Sequence, residues 1–348
     1  MMKKIITVTA LAALLLAGCA KAPSSGQNDA AKRYFNAWAE VNWPKAQRSG
    51  LGSVIIERTD GNGRLIGDSN YITVDYTLRS LDGAVSATTL KEMAMQTGAY
   101  SPVNFYGPAV WYRFNGALYA GADELLDGMH VGAHVKAAIP GWLLTTNRYD
   151  DASGYEDNET GTDMIYDFTV RDAFDDIEKY EVDSLVRYMR RNYPKVDVAD
   201  TVGNGRNRFG FYYICLKESD APDSVFTTGT KVYLNYTGRL LNGQVFDTTD
   251  KNTAKDAGIY NPSGAYSPTY VKWPDTSDDS KGYGDITMGS NDSSVIDGFA
   301  YAVYHMKPHE KGIAIFYSAY GYSYSGSGST IPAYSPLIFE LELTDETE

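Results

Sequence analysis

The chain has 348 residues, a formal net charge of −13 and a pI near 4.8. This acidic balance argues against a nucleic-acid-binding protein and against a polybasic membrane-surface patch. A chain of this length suggests two domains. Clusters of Gly and Pro separate short runs rich in Tyr, Val and Ile, which favours strands over long helices.

The first residues predict an export signal. Two lysines precede an apolar run from Ile5 to Ala17, which is too short to span a bilayer. The run ends at Cys19 in the order Leu-Ala-Gly-Cys, which resembles a bacterial lipobox, so lipidation is expected at Cys19. We expect residues 1–18 to be a signal peptide and the protein to be lipid-anchored to the bacterial outer membrane. A periplasmic orientation is favoured, with surface exposure as the alternative.

The second cysteine, Cys215, lies in an apolar run and is predicted to be a buried, inert thiol. With Cys19 acylated, no partner is left for an intrachain disulfide. The histidines form two pairs with a spacing of four residues, but no further ligands of the right type are spaced nearby. We therefore predict no metal site and no cofactor.

Two amphipathic helices are predicted, one near the start of the chain and one near its middle. An apolar face in the first comprises Tyr34, Phe35, Trp38 and Val41, with Asp29 as the expected N-cap. A second stripe comprises Val182, Leu185, Val186 and Met189. Packing of each helix on its own domain is favoured over a contact between domains or between copies of the chain.

An internal repeat organises the rest. Residues 71–83 match residues 231–243 with a constant offset of 160. The word Gly-Ala-Tyr-Ser-Pro occurs at 98–102 and again at 264–268, an offset of 166. One domain plan is therefore predicted twice.

Six ordered motifs in the second copy form a specific signal. They are Tyr236-Thr-Gly with Phe246-Asp247, Val295-Ile296-Asp297-Gly298-Phe299, Met306-Lys307, Ala319-Tyr320-Gly321, Ile331-Pro332, and the strand Leu337–Leu343. Together they resemble the FKBP-type peptidyl-prolyl cis-trans isomerase family over about 110 residues.

The resemblance implies an α+β fold with two FKBP-like domains. Each would be a bent antiparallel β-sheet wrapped on a short helix, and each would be preceded by an additional helix. We expect a tether and helix at residues 19–50, a degenerate FKBP-like domain at 51–172, a linker helix at 173–208 and the isomerase domain at 209–348.

Matching the motifs position by position, the resemblance implies that Asp247, Tyr320 and Tyr236 are catalytic. Tyr320 would hydrogen-bond the substrate carbonyl, and Asp247 would orient Tyr236. The implied substrate-binding residues are Phe246, Val295, Ile296, Phe299, Ile331 and Phe339. The alternative for the apolar residues is an ordinary core, and for Asp247 a turn-forming role.

The first copy keeps Tyr76 but departs at the site. Ser86 and Ala87 replace the Phe-Asp pair, Ala122 replaces Phe299, and Leu143 stands at the position of Tyr320. We expect no isomerase pocket there, and a fold kept for substrate binding, spacing or dimerisation.

Both copies carry a long insertion, at residues 87–117 and 248–285. Each insertion is rich in Tyr and Trp among Pro and Gly. Two interpretations stay open: an exposed peptide- or glycan-binding surface, or a small satellite core under a long loop.

The expected function is an isomerase (rotamase) that assists the folding of exported proteins, with proline-containing unfolded or extended polypeptides as partners. A non-catalytic peptide-binding chaperone is the alternative, and a structural surface lipoprotein is a third possibility.

Overall fold

The computed structural model of this protein describes residues 28–114, 116–158, 161–196 and 208–345. The predicted signal peptide and Cys19 lie outside the described residues. Within the described ranges the chain forms two units, each built on one antiparallel sheet. No helix in these ranges is both long enough and apolar enough to cross a lipid bilayer.

The first unit, residues 28–174, contains a seven-stranded sheet. Its elements in chain order are α1 (Asp29–Asn42), β1 (Gln47–Arg48), β2 (Val54–Thr59), β3 (Tyr71–Ser80), β4 (Val85–Thr88), α2 (Lys91–Gln96), β5 (Ala109–Tyr112), α3 (Ala120–Leu125), β6 (His134–Ile139), α4 (Ala152–Asn158) and β7 (Met164–Phe174). The strand order is β1-β2-β6-β7-β3-β4, and β5 also pairs with β3. Leu125 of the short helix α3 shares one core with Val135 and Phe168 of the sheet.

The second unit, residues 177–345, contains an eight-stranded sheet. Its elements are α5 (Ile177–Asn192), β8 (Phe211–Lys217), β9 (Lys231–Leu240), β10 (Val245–Thr248), α6 (Lys251–Asp256), β11 (Thr269–Lys272), β12 (Thr287–Met288), β13 (Ser293–Ser294), α7 (Asp297–His305), β14 (Lys311–Phe316) and β15 (Leu337–Thr344). The order is β13-β12-β11-β9-β15-β14-β8, with β10 also on β9. Phe299 and Val303 of α7 enter the same core as Phe316 and Leu341.

The predicted α+β class, with an antiparallel sheet around a short helix in each unit, is confirmed. The central pairs have the same register, since Tyr76 lies opposite Phe168 in the first unit and Tyr236 opposite Leu341 in the second. Both β4 and β10 are joined to their neighbour through an irregular register. The offset of 160 therefore describes a true structural repeat in this part of the chain.

Both insertions are folded, and their alignment differs from the one expected. Tyr100 stacks on Tyr106 with ring centroids 5.5 Å apart, and Tyr260 stacks on Tyr266 at 5.3 Å. The counterpart of Tyr100 is thus Tyr260, again 160 residues on. The alignment drawn from the repeated five-residue word was wrong, because identical letters recur six residues out of structural register.

Helix α1 packs on its own unit, as favoured, but its buried face is narrower than predicted. Phe35 is fully buried and meets the Trp142 ring edge-on at 5.7 Å. Tyr34 and Val41 are 62% and 81% exposed, so they do not belong to the buried stripe. The N-cap is Asn28 rather than Asp29, which is the first helical residue.

Helix α5 packs against the outer face of the second sheet. Leu185 and Met189 are fully buried there with Ile313 and Ile338, as the apolar stripe predicts. Asp176 caps the helix by accepting a hydrogen bond from a backbone N–H at 3.0 Å. The helix thus belongs to the second unit, which is the favoured alternative.

Cys215 is exposed, so the prediction of a buried thiol was wrong. Tyr213 and Ile214 of the same strand are buried on the two faces of the sheet. Strand β8 is the last strand of its sheet, and its far end passes beyond the core. An apolar run at a sheet edge therefore does not guarantee burial of every residue in it.

Candidate functional site

A cavity of about 720 Å³ opens between α7 and the second sheet. Eight of the nine predicted pocket residues line it, and the exception is Tyr320. Six further residues were not predicted. The full lining is Tyr236, Phe246, Asp247, Met288, Ser294, Val295, Ile296, Phe299, Tyr322, Ser327, Gly328, Thr330, Ile331 and Phe339.

Aromatic rings form the floor. Phe299, from the first turn of α7, is only 3% exposed. Its ring lies edge-on to Tyr236 at 5.6 Å and to Phe339 at 5.1 Å between centroids. Edge-to-face packing of this kind is the favoured geometry of aromatic pairs. The floor is therefore closely packed and apolar, and an apolar side chain that binds there would be transferred out of water, which is favourable.

One wall depends on a glycine. A Cβ on Gly238 would lie 2.5 Å from the ring of Phe246 and 3.0 Å from that of Phe339. Only a residue without a side chain lets Phe246 of β10 lie across β9 at this point. Phe246 in turn meets Phe339 edge-on at 5.5 Å. The aromatic wall thus requires Gly238 and Phe246 together.

A polar pair stands at the cavity's edge. The Tyr236 hydroxyl donates a 2.7 Å hydrogen bond to Oδ2 of Asp247, which is exposed to solvent. Burial and the neighbouring carboxylate raise the pKa of Tyr236 well above its usual range. The phenol therefore stays protonated and directs the Asp247 carboxylate. This pairing is the one that the motif resemblance implied.

Tyr320 is placed differently from expectation. Its hydroxyl donates to the carbonyl of Phe209 at 3.2 Å. Its ring faces the Arg208 guanidinium, whose Cζ lies 4.2 Å from the ring centroid. Arg208 also approaches Tyr301 at 3.9 Å and pairs with Asp297 at 3.3 Å. Tyr320 thus supports the edge of the site from outside the cavity.

Tyr322, which sequence reasoning missed, lines the cavity instead. Burial and the nearby Asp247 carboxylate raise the pKa of Tyr322, so its hydroxyl is a retained donor. The stretch from residue 317 to 324 contains several tyrosines without strand or helix periodicity. No local pattern could therefore select the tyrosine that faces inward.

The opposite edge is the rim loop, which we define as residues 325–334. Ser327 and Ile331 exchange backbone hydrogen bonds of 2.7 and 3.1 Å, closing a tight bridge. Ile331 points into the core and is 4% exposed. Gly326 and Gly328 adopt φ of 61° and 56°, a region that favours glycine.

The first unit keeps a smaller cavity, of about 320 Å³, at the corresponding place. Tyr76, Ala122 and Tyr166 stand where the second unit has Tyr236, Phe299 and Phe339. No carboxylate is among the residues that line it, whereas Trp111 is. The first unit thus has an aromatic hollow whose lining contains no counterpart of Asp247.

The histidines have local partners. His134 lies 2.9 Å from Asp167, and His309 lies between Asp220 and Asp345 at 2.8 and 3.0 Å. Within the part of the chain that the structure covers, no three His, Cys, Asp or Glu side chains are grouped to hold a metal ion.

Part of the chain matches the sequence model of a known protein family. Residues 273–344 match the model described as FKBP-type peptidyl-prolyl cis-trans isomerase. A short-type peptidyl-prolyl cis-trans isomerase of Methanocaldococcus jannaschii is 37% identical over 76 residues. That stretch is 22% of this chain and 48% of the relative, so the chain spans about half the length of the curated relative it matches. The family match leaves out Tyr236, Phe246 and Asp247, which precede it.

Solved structures are similar at lower identity. The three FKBP domains of wheat FKBP73 align with 84% of this chain and 94% of their own, at 16% identity and a TM-score of 0.25. FkpA from Escherichia coli aligns with 41% of this chain and 57% of its own, at 20% identity and a TM-score of 0.28. At these TM-scores the superpositions determine no detail of the fold.

Proposed function

We propose that this chain isomerises X–Pro bonds in the cavity of the second unit. The match of residues 273–344 to the model of FKBP-type peptidyl-prolyl cis-trans isomerases supports this proposal. The observation that carries the proposal is an aromatic cavity with one hydrogen-bonded Tyr236–Asp247 pair at its edge. The cavity size suits a single proline ring with its neighbouring residues. The substrates would be proline-containing unfolded or extended polypeptides.

The chemistry needs no nucleophile. Rotation about an amide is opposed by a barrier of about 18–20 kcal/mol, because resonance across the C–N bond must be broken. Uncatalysed X–Pro exchange therefore takes roughly tens to hundreds of seconds. The twisted amide is less charge-separated than the planar one, so an apolar site favours it relative to water. Phe246, Phe299 and Phe339 supply such an environment.

The polar groups hold the substrate during rotation. Asp247, oriented by Tyr236, would place a carboxylate beside the reacting carbonyl of a bound substrate. Ile296 precedes the first turn of α7 in an extended conformation, where its backbone N–H would donate to the bound peptide. Tyr322 faces the cavity and would hydrogen-bond a substrate carbonyl, the role first expected of Tyr320. Fixing the chain on both sides of the proline leaves rotation of the X–Pro bond as the remaining freedom.

A protease-free prolyl isomerisation assay on the whole chain tests this function. Asp247→Ala should lower kcat/KM by at least about tenfold, because it removes the charge positioned at the reacting carbonyl. Tyr322→Phe should lower it less, since only one hydrogen bond is lost. Asp223→Ala, at an exposed turn, is the matched control and should leave the rate unchanged. A folded wild-type chain that does not exceed the thermal rate would rule the function out.

For the setting, the proposed role is in the folding of exported proteins at a membrane. The support is the lipobox-like run that ends at Cys19. Wild-type protein expressed in a bacterium should incorporate labelled palmitate and sediment with membranes, while Cys19→Ala should do neither. Membrane sedimentation without lipid label would contradict a lipid anchor.

Non-catalytic chaperone binding is the second candidate, and one observation favours it. The first unit has an aromatic hollow whose lining contains no carboxylate corresponding to Asp247. Such a hollow could bind apolar side chains without catalysing isomerisation. Under this function, Asp247→Ala would still suppress aggregation of an unfolded client. If the same variant loses isomerase activity and keeps aggregation suppression, both activities are present and separable.

A further inference from the structure

The two units carry a loop of the same length and internal support, but with different residues at several positions. In the first-unit loop, residues 99–108, Tyr100 stacks on Tyr106, and the Tyr106 hydroxyl accepts a backbone N–H at 3.1 Å. In the second unit, Tyr260 and Tyr266 repeat this brace, with the corresponding bond at 2.8 Å. The stacked tyrosines and their hydrogen bond thus support the loop in both units, so the residues between the tyrosines are not needed for this support.

Three positions inside the loop differ in a coordinated way. Asn104, Phe105 and Gly107 of the first unit correspond to glycine, alanine and serine at 264, 265 and 267. A Cβ on Gly107 would lie 2.7 Å from Cζ of Phe105, so the folded-back Phe105 ring requires glycine there. Where the phenylalanine is absent, in the second unit, the glycine is absent too. This points to a specific task for Phe105.

Asn104 and Phe105 contact the other unit. The Phe105 N–H donates to the Ser329 carbonyl at 2.8 Å, and the Ser329 hydroxyl donates to Oδ1 of Asn104 at 2.7 Å. Gln244, at the turn between β9 and β10, donates its side-chain amide to the Asn104 carbonyl at 3.2 Å. The Phe105 side chain packs against the core of the second unit.

The contacted residue stands in the middle of the rim loop. On either side of Ser329, Gly328 and Thr330 line the cavity, and Ile331 follows. At the loop's far end, Tyr334 meets Tyr71 of the first unit edge-on at 5.5 Å. The first unit therefore holds the rim loop at its middle and at its end.

We propose that the first unit is a positioning element of the isomerase site, with Asn104 and Phe105 holding the rim loop in its binding conformation. The proposal rests on the isomerase function proposed above. Gly326 and Gly328 lack side chains that would restrict φ and ψ, so the rim loop without support could adopt several conformations and would lose entropy each time a peptide binds. Contacts made in advance by the first unit remove that cost and favour substrate binding.

Whole-chain variants test this by two independent readouts. Phe105→Ala should speed amide hydrogen exchange in residues 327–334 by about tenfold, because the loop opens more often. It should raise KM for a proline peptide roughly threefold to tenfold with little change in kcat. Ser329→Ala, which removes one hydrogen bond from the opposite side, should show a smaller change in the same direction. Phe105→Leu should restore most of the exchange protection.

Val103→Ser is the matched control, because it introduces the second unit's residue at an exposed neighbouring position. It should leave both exchange and KM as in wild type. Unchanged rim-loop exchange in a folded Phe105→Ala variant would overturn the proposal. If the wild type shows no isomerase activity, the proposed function fails, and the exchange result alone decides whether the first unit holds the loop.

Discussion

The two cavities occupy the same place in sheets of the same register, but large and small side chains occupy different positions around them. In the second unit, Gly238 on the central strand leaves room for Phe246, whereas the first unit has Leu78 and Ser86 at these positions. The volumes are about 720 and 320 Å³. The same backbone fold therefore supports either a large aromatic cavity or a smaller one, and a few side chains determine which of the two forms.

The largest effect is expected from transferring the first unit's leucine to the second. Gly238→Leu would drive a side chain into Phe246 and Phe339, where even a Cβ already lies within 3.0 Å of both rings. Overpacking of this kind should lower the free energy of unfolding by about 3 kcal/mol and abolish isomerisation. Chemical denaturation and the isomerisation assay measure the two effects.

A second substitution, Phe246→Ser, tests whether the clash with Phe246 causes these losses. Adding Phe246→Ser to Gly238→Leu recreates the first unit's pair and should recover most of the lost stability without recovering activity. Gly282→Ala is the control, since no atom lies within 4 Å of the added Cβ. Full activity in the double variant would show that the Phe246 wall is not needed.

A second difference concerns the 3₁₀ turn beside each cavity. In the second unit, Glu181 of α5 accepts bonds from the Ser318 N–H at 2.6 Å and the Ser318 hydroxyl at 2.8 Å. In the first unit, Asp163 accepts the Gly141 N–H at 2.8 Å. Burial raises the pKa of both carboxyls, and that of Glu181 rises from 4.5 to about 7.

The raised pKa of Glu181 predicts a pH dependence of stability. The folded protein holds this proton more tightly than the unfolded chain, so the contribution is fully present below pH 4.5 and is lost as the pH rises through about 7. Between pH 5 and 7 the free energy of unfolding should fall by about 2 kcal/mol from this group. Denaturation at a series of pH values measures the slope.

Glu181→Gln keeps an acceptor for Ser318 and removes the titration. The fall in stability between pH 5 and 7 should therefore be absent or much reduced in this variant. Asp163→Asn removes the half-buried carboxyl of the first unit, whose pKa is also raised by burial, and shows what that second carboxyl adds to the slope. Identical slopes in wild type and Glu181→Gln would show that Glu181 titrates normally.

The smallest effect is expected from the one tyrosine that both cavities share. Tyr236→Phe removes the hydroxyl that orients Asp247 and should lower kcat/KM a few-fold, with a loss of about 1 kcal/mol in stability. Tyr76→Phe removes the corresponding hydroxyl from the first cavity and should not alter isomerisation. Equal losses in the two variants would place part of the activity in the first unit.

Ordered motifs predicted most of the residues that line the cavity. Eight residues chosen by motif position line one cavity although they are up to about 100 positions apart in the sequence, as the family resemblance implied. Tyr320, which was predicted, lies outside the cavity lining, whereas Tyr322, which was not predicted, lines it. Both tyrosines lie in an irregular segment. The Tyr320 side chain is held by contacts with Arg208 and Phe209, which are distant in sequence.

The repeat was read from the sequence alone, and the α+β class and the pairing of Tyr236 with Asp247 were implied by ordered motifs that resemble a known family. The true alignment of the insertions, the inward tyrosine and the reach of Phe105 into the second unit were decided only by tertiary structure. These features depend on packing between segments far apart in the chain. Such packing is selected by shape and by paired hydrogen bonds that no local pattern encodes.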